Sequence, residues 1–416
     1  MADAASPSED GLGAGLTPAG RRRALTLLAA ALVLSMTTWF SASAVIPQLR
    51  AAWSLSNGAA AWLTIAVQLG FVTGAVVSAA LNLTDVRPPR LVILMGSIGA
   101  AAANLALLAA VGPELGIPLR FLTGFFLAGV YPPALKLMST WFREGRGLAL
   151  GVLTAAVTLG SAGPHLVNAL GGLDVEVVVV MTSILTALGG LVVVTAVREG
   201  PYPFPLAVFD PRQAGRVLRN RGVRLASLGY FGHMWELYAM WAWFVVFFRE
   251  VLERDSGPGG TAASLATFLV IGTGALGCVV GGVLGDRWSR TRSATLMMMV
   301  SGICALSIGG LADGPVWVVL AVGLVWGCAV VGDSAQFSTM VTELADQAYV
   351  GTALTLQLAV GFTLTVATIW LVPLVRDASS WAWAFALLAP GPFLGIAAML
   401  RLRGSPEAAL IAGGRG

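Results

Sequence analysis

The chain has 416 residues, 57% of them hydrophobic and 11% charged, with a formal net charge of +4. An average soluble domain carries roughly 25% charged residues, so this composition excludes a soluble enzyme and a nucleic-acid-binding domain, and the arginine excess is read as membrane topology. Apolar stretches of about 20 residues, enough at ~1.5 Å per residue to cross a core of ~30 Å, recur along the chain, and their unbroken hydrophobicity without a period of two selects helices over a β-barrel.

Residues 1–20 are small and polar and are expected to form a disordered cytosolic tail. The apolar run after Arg21, Arg22 and Arg23 reaches SASAVIP and superficially resembles a secretory signal. Removing it would leave an odd number of spans and destroy an internal repeat, so it is kept as the first helix. Spans are expected at 24–46, 58–81, 91–112, 117–141, 147–170, 175–197, 224–250, 262–284, 293–312, 315–342, 351–374 and 380–400. The polar stretch 198–223 is a cytosolic linker between six-helix bundles at 21–197 and 224–402, and 403–416 is a second cytosolic tail. With the N-terminus in the cytosol, 19 of the 24 arginines fall on the cytosolic side, Arg50, Arg249, Arg254 and Arg376 outside, and Arg120 within a helix. The positive-inside rule therefore sets both termini in the cytosol, and the chain is expected as a multi-pass monomer of the inner (plasma) membrane.

An ionisable group at mid-bilayer costs about 2.5 to 3.5 kcal/mol on insertion scales, so each one marks a functional candidate. The candidates are Arg120 and Lys136 in the fourth span, His165 in the fifth, His233 and Glu236 in the seventh and Asp333 in the tenth. Trp39, flanked by threonines and serines, suits either a cavity wall or plain helix packing. Gln68 and Gln357 are either cavity amides or interhelical bonds, and the same choice holds for His165 with Asn168. In the seventh span, Tyr230, His233, Glu236, Met240 and Trp243 fall at 100° per residue on one face about 140° wide. Glu236 is read as a titrating carboxylate there, or as a hydrated group near the helix end. Lys136, the one lysine in the chain, either serves the cytosolic mouth or snorkels to the headgroups. Cys278, Cys304 and Cys328 sit in apolar runs without metal-ligand spacing and are read as packing residues.

The halves echo each other, LNLTDVRPPR after the second span against VLGDRWSRTR after the eighth, with Asp85 and Asp286 offset by 201. GGVLGDRWSRTR, with Gly282, Asp286, Arg287 and Arg290, resembles the loop signature of the major facilitator superfamily; the first-half copy keeps Asp85, Arg87 and Arg90 but has prolines in its glycine region. RFLTGFFLAG is similar to the family's Arg-x-x-x-Gly element on Arg120 and Gly124, and Gly163 and Pro164 partly match its fifth-helix element. YPPALKLMSTWF is similar to the fourth-helix segment of organophosphate–phosphate antiporters and related organic-anion porters, although their paired arginines have no counterpart here.

The resemblance, over about residues 20 to 403, implies an all-α integral membrane fold of 12 transmembrane helices, arranged as two pseudo-symmetric six-helix bundles. It also implies secondary active transport by alternating access, without cofactor, metal or catalysis. The expected substrate is a small carboxylate-like organic anion drawn in by Lys136 with Arg120 or His233, moved with protons or by exchange. Trp39, Gln68, His165, Tyr230, His233, Trp243 and Gln357 are expected to bind it; Glu236, Asp333 and Arg120 couple protons. Lys136, Asp333, Gln336, Asp85, Asp286, Arg287 and Arg290 form a cytosolic gate, with Lys136 pairing to Asp333 when that side closes. The alternative is a cationic or amphipathic substrate stacked on Trp39, Trp235, Trp241 and Trp243.

Overall fold

Backbone inside a bilayer must find its hydrogen bonds within its own helix or from neighbouring side chains, and several helices here need the neighbours. We describe a computed structural model covering residues 18–142, 146–202, 211–256, 259–346 and 349–416. Residues 1–17 of the tail expected over 1–20, and the side chain of Asp85, lie outside the described residues, whereas residues 18–20 are not tail but the first turn of a helix.

The twelve spans form in order. The first six are α1 (Pro18–Ser35), α2 (Asn57–Ala80), α3 (Pro89–Leu105), α4 (Pro113–Leu127), α5 (Arg146–Leu170) and α6 (Val175–Ala196). The second six are α7 (Arg221–Ser256), α8 (Gly260–Arg287), α9 (Arg290–Ile308), α10 (Val316–Gly332), α11 (Val350–Ala378) and α12 (Trp381–Ala386). No strand occurs among the described residues. By length and composition alone, ten of the helices can cross a membrane. The other two spans are α1, which carries three arginines and is broken, and α7, whose polar and aromatic residues lower its hydropathy.

Four spans are interrupted. The first, expected to run unbroken to 46, passes through a 3-10 turn at Met36–Thr38 and resumes as Ser41–Ala44 and Ile46–Trp53. The fourth resumes as Tyr131–Ser139, where Pro132 and Pro133 sit in the first turn, a position that needs no proline N–H. The tenth resumes after Asp333 as Ser334–Leu344, so both halves break the same helix of the repeat. The twelfth resumes at Pro390–Arg403.

Close backbone contact also follows the repeat. A Cβ on Gly124 of α4 would collide with the Val67 carbonyl of α2, and one on Gly277 of α8 would collide with the Cys328 carbonyl of α10. Small residues bring membrane helices together in this way. Gly277→Ala is therefore expected to cost about 1–3 kcal/mol by overpacking, read as a lowered melting temperature in detergent. Gly282→Ala, where an added Cβ meets nothing within 4 Å, should melt like the parent. Between the halves, α5 packs on α8 and α2 on α11.

Candidate functional site

The seventh helix shows how far one helical face can be followed. His233 Nδ1 lies 2.8 Å from Asp333 Oδ1 with both side chains buried, a short contact at the break of the tenth span rather than an aligned hydrogen bond. Glu236 accepts from Trp326 Nε1 of α10 at 2.6 Å and from Ser301 Oγ of α9 at 2.9 Å. Trp243 donates to the Ile369 carbonyl of α11 at 2.9 Å, and Trp235 to the Leu387 carbonyl at 3.1 Å. Tyr230 sits 6.0 Å from His233 and 6.2 Å from Phe337, ring to ring. The polar face thus looks into the second six-helix bundle, where its carboxyl and indole groups bond to α9, α10 and α11.

The first half is met by a different side of α7. Tyr238 lies about 160° around the helix from Glu236 at 100° per residue. It stacks on Trp39 at 5.9 Å and on Phe40 at 6.1 Å, and its ring is 5.1 Å from Phe362 of α11. Trp241 meets Phe40 edge-on at 5.7 Å. Phe71 of α2 closes the group, 4.7 Å from Trp39 and 4.9 Å from Phe362. Six rings from four spans therefore join the halves. Of these, only Trp39 and Trp241 are candidates in the sequence reading; Phe40, Phe71, Tyr238 and Phe362 were legible only as aromatic residues on helices named for other reasons.

Among the described residues, several buried polar atoms on these and neighbouring helices have no hydrogen-bond partner. They include the indole N–H of Trp39 and of Trp241, both amide atoms of Gln68 and the amide nitrogen of Gln357. Both ring nitrogens of His165 are also unpartnered, as is Nε2 of His233. Gln68 stands one turn from Phe71 on α2. Asn168 resolves the other way, donating to the Ala44 carbonyl and to Ser264 Oγ of α8, each at 2.9 Å.

Arg120 is fully buried and faces the interruption of the first span. Its guanidinium donates to the Thr38 carbonyl at 2.9 Å, Ser41 Oγ at 3.0 Å, Asn104 Oδ1 at 3.2 Å and the Leu63 carbonyl at 3.4 Å, and also to the Trp39 carbonyl. A planar fork with five donors suits this set. The charge expected to draw in an anion is held instead by five oxygens of the first half.

At the arginine-rich face, Arg290 binds Glu343 through two bonds of 3.0 and 3.1 Å and Asp286 at 3.2 Å. Gln336 joins them, accepting from Arg290 at 3.4 Å and donating to the Gly281 carbonyl at 3.1 Å. Asp286, Arg290 and Gln336 are thereby brought together, and Glu343 is the member missed in the sequence, where it is one carboxylate at a helix end. Arg287 is exposed and outside the cluster. Lys136 is half-buried in the last turn of Tyr131–Ser139, while the partner of Asp333 is His233, not the lysine suggested by the repeat.

At the opposite face, Arg50 donates to Asn57 and Asn57 to Asp377, tying α2 to α11. Arg376 pairs with Glu250 at 2.8 Å, and Gln48 donates to Asn168 at 3.3 Å. Two polar links between the halves, Asn57 to Asp377 and Asn168 to Ser264, lie toward this side.

The sequence model of the Major Facilitator Superfamily matches residues 28–368. A probable actinorhodin transporter of Streptomyces coelicolor is 29% identical over 157 residues, 37% of this chain, and the match spans 27% of that relative's length. The fold is similar to that of a bacterial homologue of the human lysosomal transporter Spinster in an inward-facing, unoccupied conformation. Its TM-score is 0.65 at 15% identity, over 96% of this chain and 98% of that one. A mutant of the nucleoside transporter NupG gives a TM-score of 0.67 at 13% identity, over 91% and 99%.

Proposed function

The chain belongs to the major facilitator superfamily and is a secondary transporter embedded in the membrane, and from that premise we propose that its substrate is an amphipathic, ring-bearing organic compound, moved with protons. The six-ring cluster between the halves carries this reading. Rings of this kind stack on a planar substrate, and the unpartnered N–H groups of Trp39 and Trp241 and the amide of Gln68 offer hydrogen bonds at its edge. A small carboxylate finds less there, because the Arg120 charge is already matched by oxygens of the protein. The partial likeness to a chain named as an actinorhodin transporter fits an organic compound as cargo.

Proton coupling in this reading belongs to the His233–Asp333 pair and Glu236, of which His233 and Glu236 share α7 with Tyr238 and Trp241 of the cluster. Arg290, Asp286, Gln336 and Glu343 brace the arginine-rich side, taken as cytosolic with both termini, when the halves rock. Lys136 serves the mouth on that side.

Proteoliposomes with an imposed pH gradient test the substrate class, with a hydroxyanthraquinone and ethidium as ring-bearing probes against lactate and succinate. A ring-bearing probe is expected to accumulate, and Trp39→Ala to raise its apparent KM about tenfold, the loss of roughly one stacking interaction. Accumulation of lactate or succinate alone would overturn the reading.

A further inference from the structure

The lipid-facing surface holds a groove unrelated to the cluster between the halves. It lies between α9 and the Pro390–Arg403 segment, is about 420 Å³ in volume, and is lined by Trp288, Arg292, Leu296, Met299, Leu400 and Arg403, with Thr295 on its wall. Its polarity is graded along the helices. Arg292 is near the start of α9 and Arg403 ends the last helix, so both stand at the arginine-rich face. Leu296 and Met299 follow one and two turns deeper on α9, and Leu400 one turn deeper on its neighbour. Leu296 is 42% exposed, Met299 39% and Leu400 52%.

Among the described residues, neither Arg292 nor Arg403 has an acidic partner, whereas neighbouring Arg290 is held by Asp286 and Glu343. Arg292 instead lies 5.5 Å over the Trp288 ring, an aromatic residue 45% exposed at the level where indoles favour the headgroup region. An arginine fork that meets no carboxylate, set beside an interfacial indole and above an apolar trough, has the donors for a phosphodiester and the wall for an acyl chain.

We propose that this groove is a binding site for an anionic phospholipid of the leaflet at the arginine-rich face. Its phosphate lies between Arg292 and Arg403, and one acyl chain runs along Leu296, Met299 and Leu400. A zwitterionic lipid of the same chain length fits the trough but brings its own cation to the arginines, so the site discriminates by headgroup charge.

Native mass spectrometry of the full chain tests this, with dioleoyl phosphatidylglycerol and dioleoyl phosphatidylcholine supplied at equal concentration. The parent is expected to retain phosphatidylglycerol preferentially. Each arginine near an anionic surface contributes about fivefold, so Arg292→Gln with Arg403→Gln should lower the preference by roughly 25-fold. Leu296→Trp with Met299→Trp, which fills the trough and keeps both arginines, should lower retention of both lipids. Equal melting of parent and variants in phosphatidylcholine micelles shows that both pairs fold. An unchanged preference in the double glutamine variant overturns the proposal. So does displacement of the lipid by millimolar inorganic phosphate, which would make the arginines a site for a free anion.

Discussion

Arg120→Ala is expected to destabilise the first six helices rather than only slow transport. The Thr38, Trp39 and Leu63 carbonyls, the Ser41 hydroxyl and the Asn104 amide oxygen all accept from this side chain. The interruption between Met36 and Phe40 leaves two of those carbonyls outside the ladder of the first span, in a region with no exposure to water. Ser41 Oγ also donates to the Thr38 carbonyl at 3.1 Å and to Asn104 Oδ1, so the substitution deprives chiefly the Trp39 carbonyl of its donor. An unsatisfied buried polar group costs about 1–3 kcal/mol, and the space left by the side chain adds to this loss from a total stability of ~5–15 kcal/mol. A melting temperature lowered by more than about 10 °C, or loss of monodisperse protein, is the measurable result. Arg120→Lys separates scaffold from coupling. An ammonium with three donors on a flexible stem does not reproduce the fork, so an intermediate melting temperature is expected. If Arg120→Lys melts like the parent but no longer accumulates substrate under a pH gradient, the guanidinium acts in coupling and the scaffold role fails.

Asp333→Asn is expected to abolish gradient-driven accumulation while leaving exchange. A potential of 100 mV is worth about 2.3 kcal/mol per charge, which corresponds to about 50-fold accumulation per coupled proton. Without a protonatable group opposite His233, that ratio should fall toward unity. Counterflow needs only the two halves to rock and should persist, because asparagine keeps the shape and the helix break. His233→Gln should behave similarly. Accumulation that survives Asp333→Asn excludes the pair as the coupling element. Glu236→Gln is a useful contrast: its carboxyl accepts from Trp326 and Ser301, and an amide presents only one oxygen to these two donors. A fall in both accumulation and melting temperature would reveal an additional bracing role for Glu236.

Membership of the family and the twelve spans were legible because both depend on properties carried along the chain. Hydropathy sets where a helix crosses, and the loop GDRWSRTR keeps its residue types in order. The Arg290 cluster was half legible: Asp286 and Arg290 stand in that loop, whereas Glu343 lies 53 residues further on and meets Arg290 only when the tenth span returns beside the ninth. The direction of α7 was not legible. Helical periodicity correctly grouped His233, Glu236 and Trp243, but a period says which side chains share a face and nothing about which neighbour that face meets.

The sequence by itself determined a chain of apolar helices in two related halves, the short set of charges that had to be accounted for, and the arginine-marked side. Each of these follows from transfer cost and residue order, which act on a single helix. The tertiary structure decided what each charge touches. It turned the polar face of α7 into its own bundle, set Tyr238 and Trp241 against Trp39 and Phe40, and folded Arg120 onto the carbonyls of a broken helix. Those outcomes depend on the rotation of each helix about its axis, which packing against its neighbours fixes and no local pattern records.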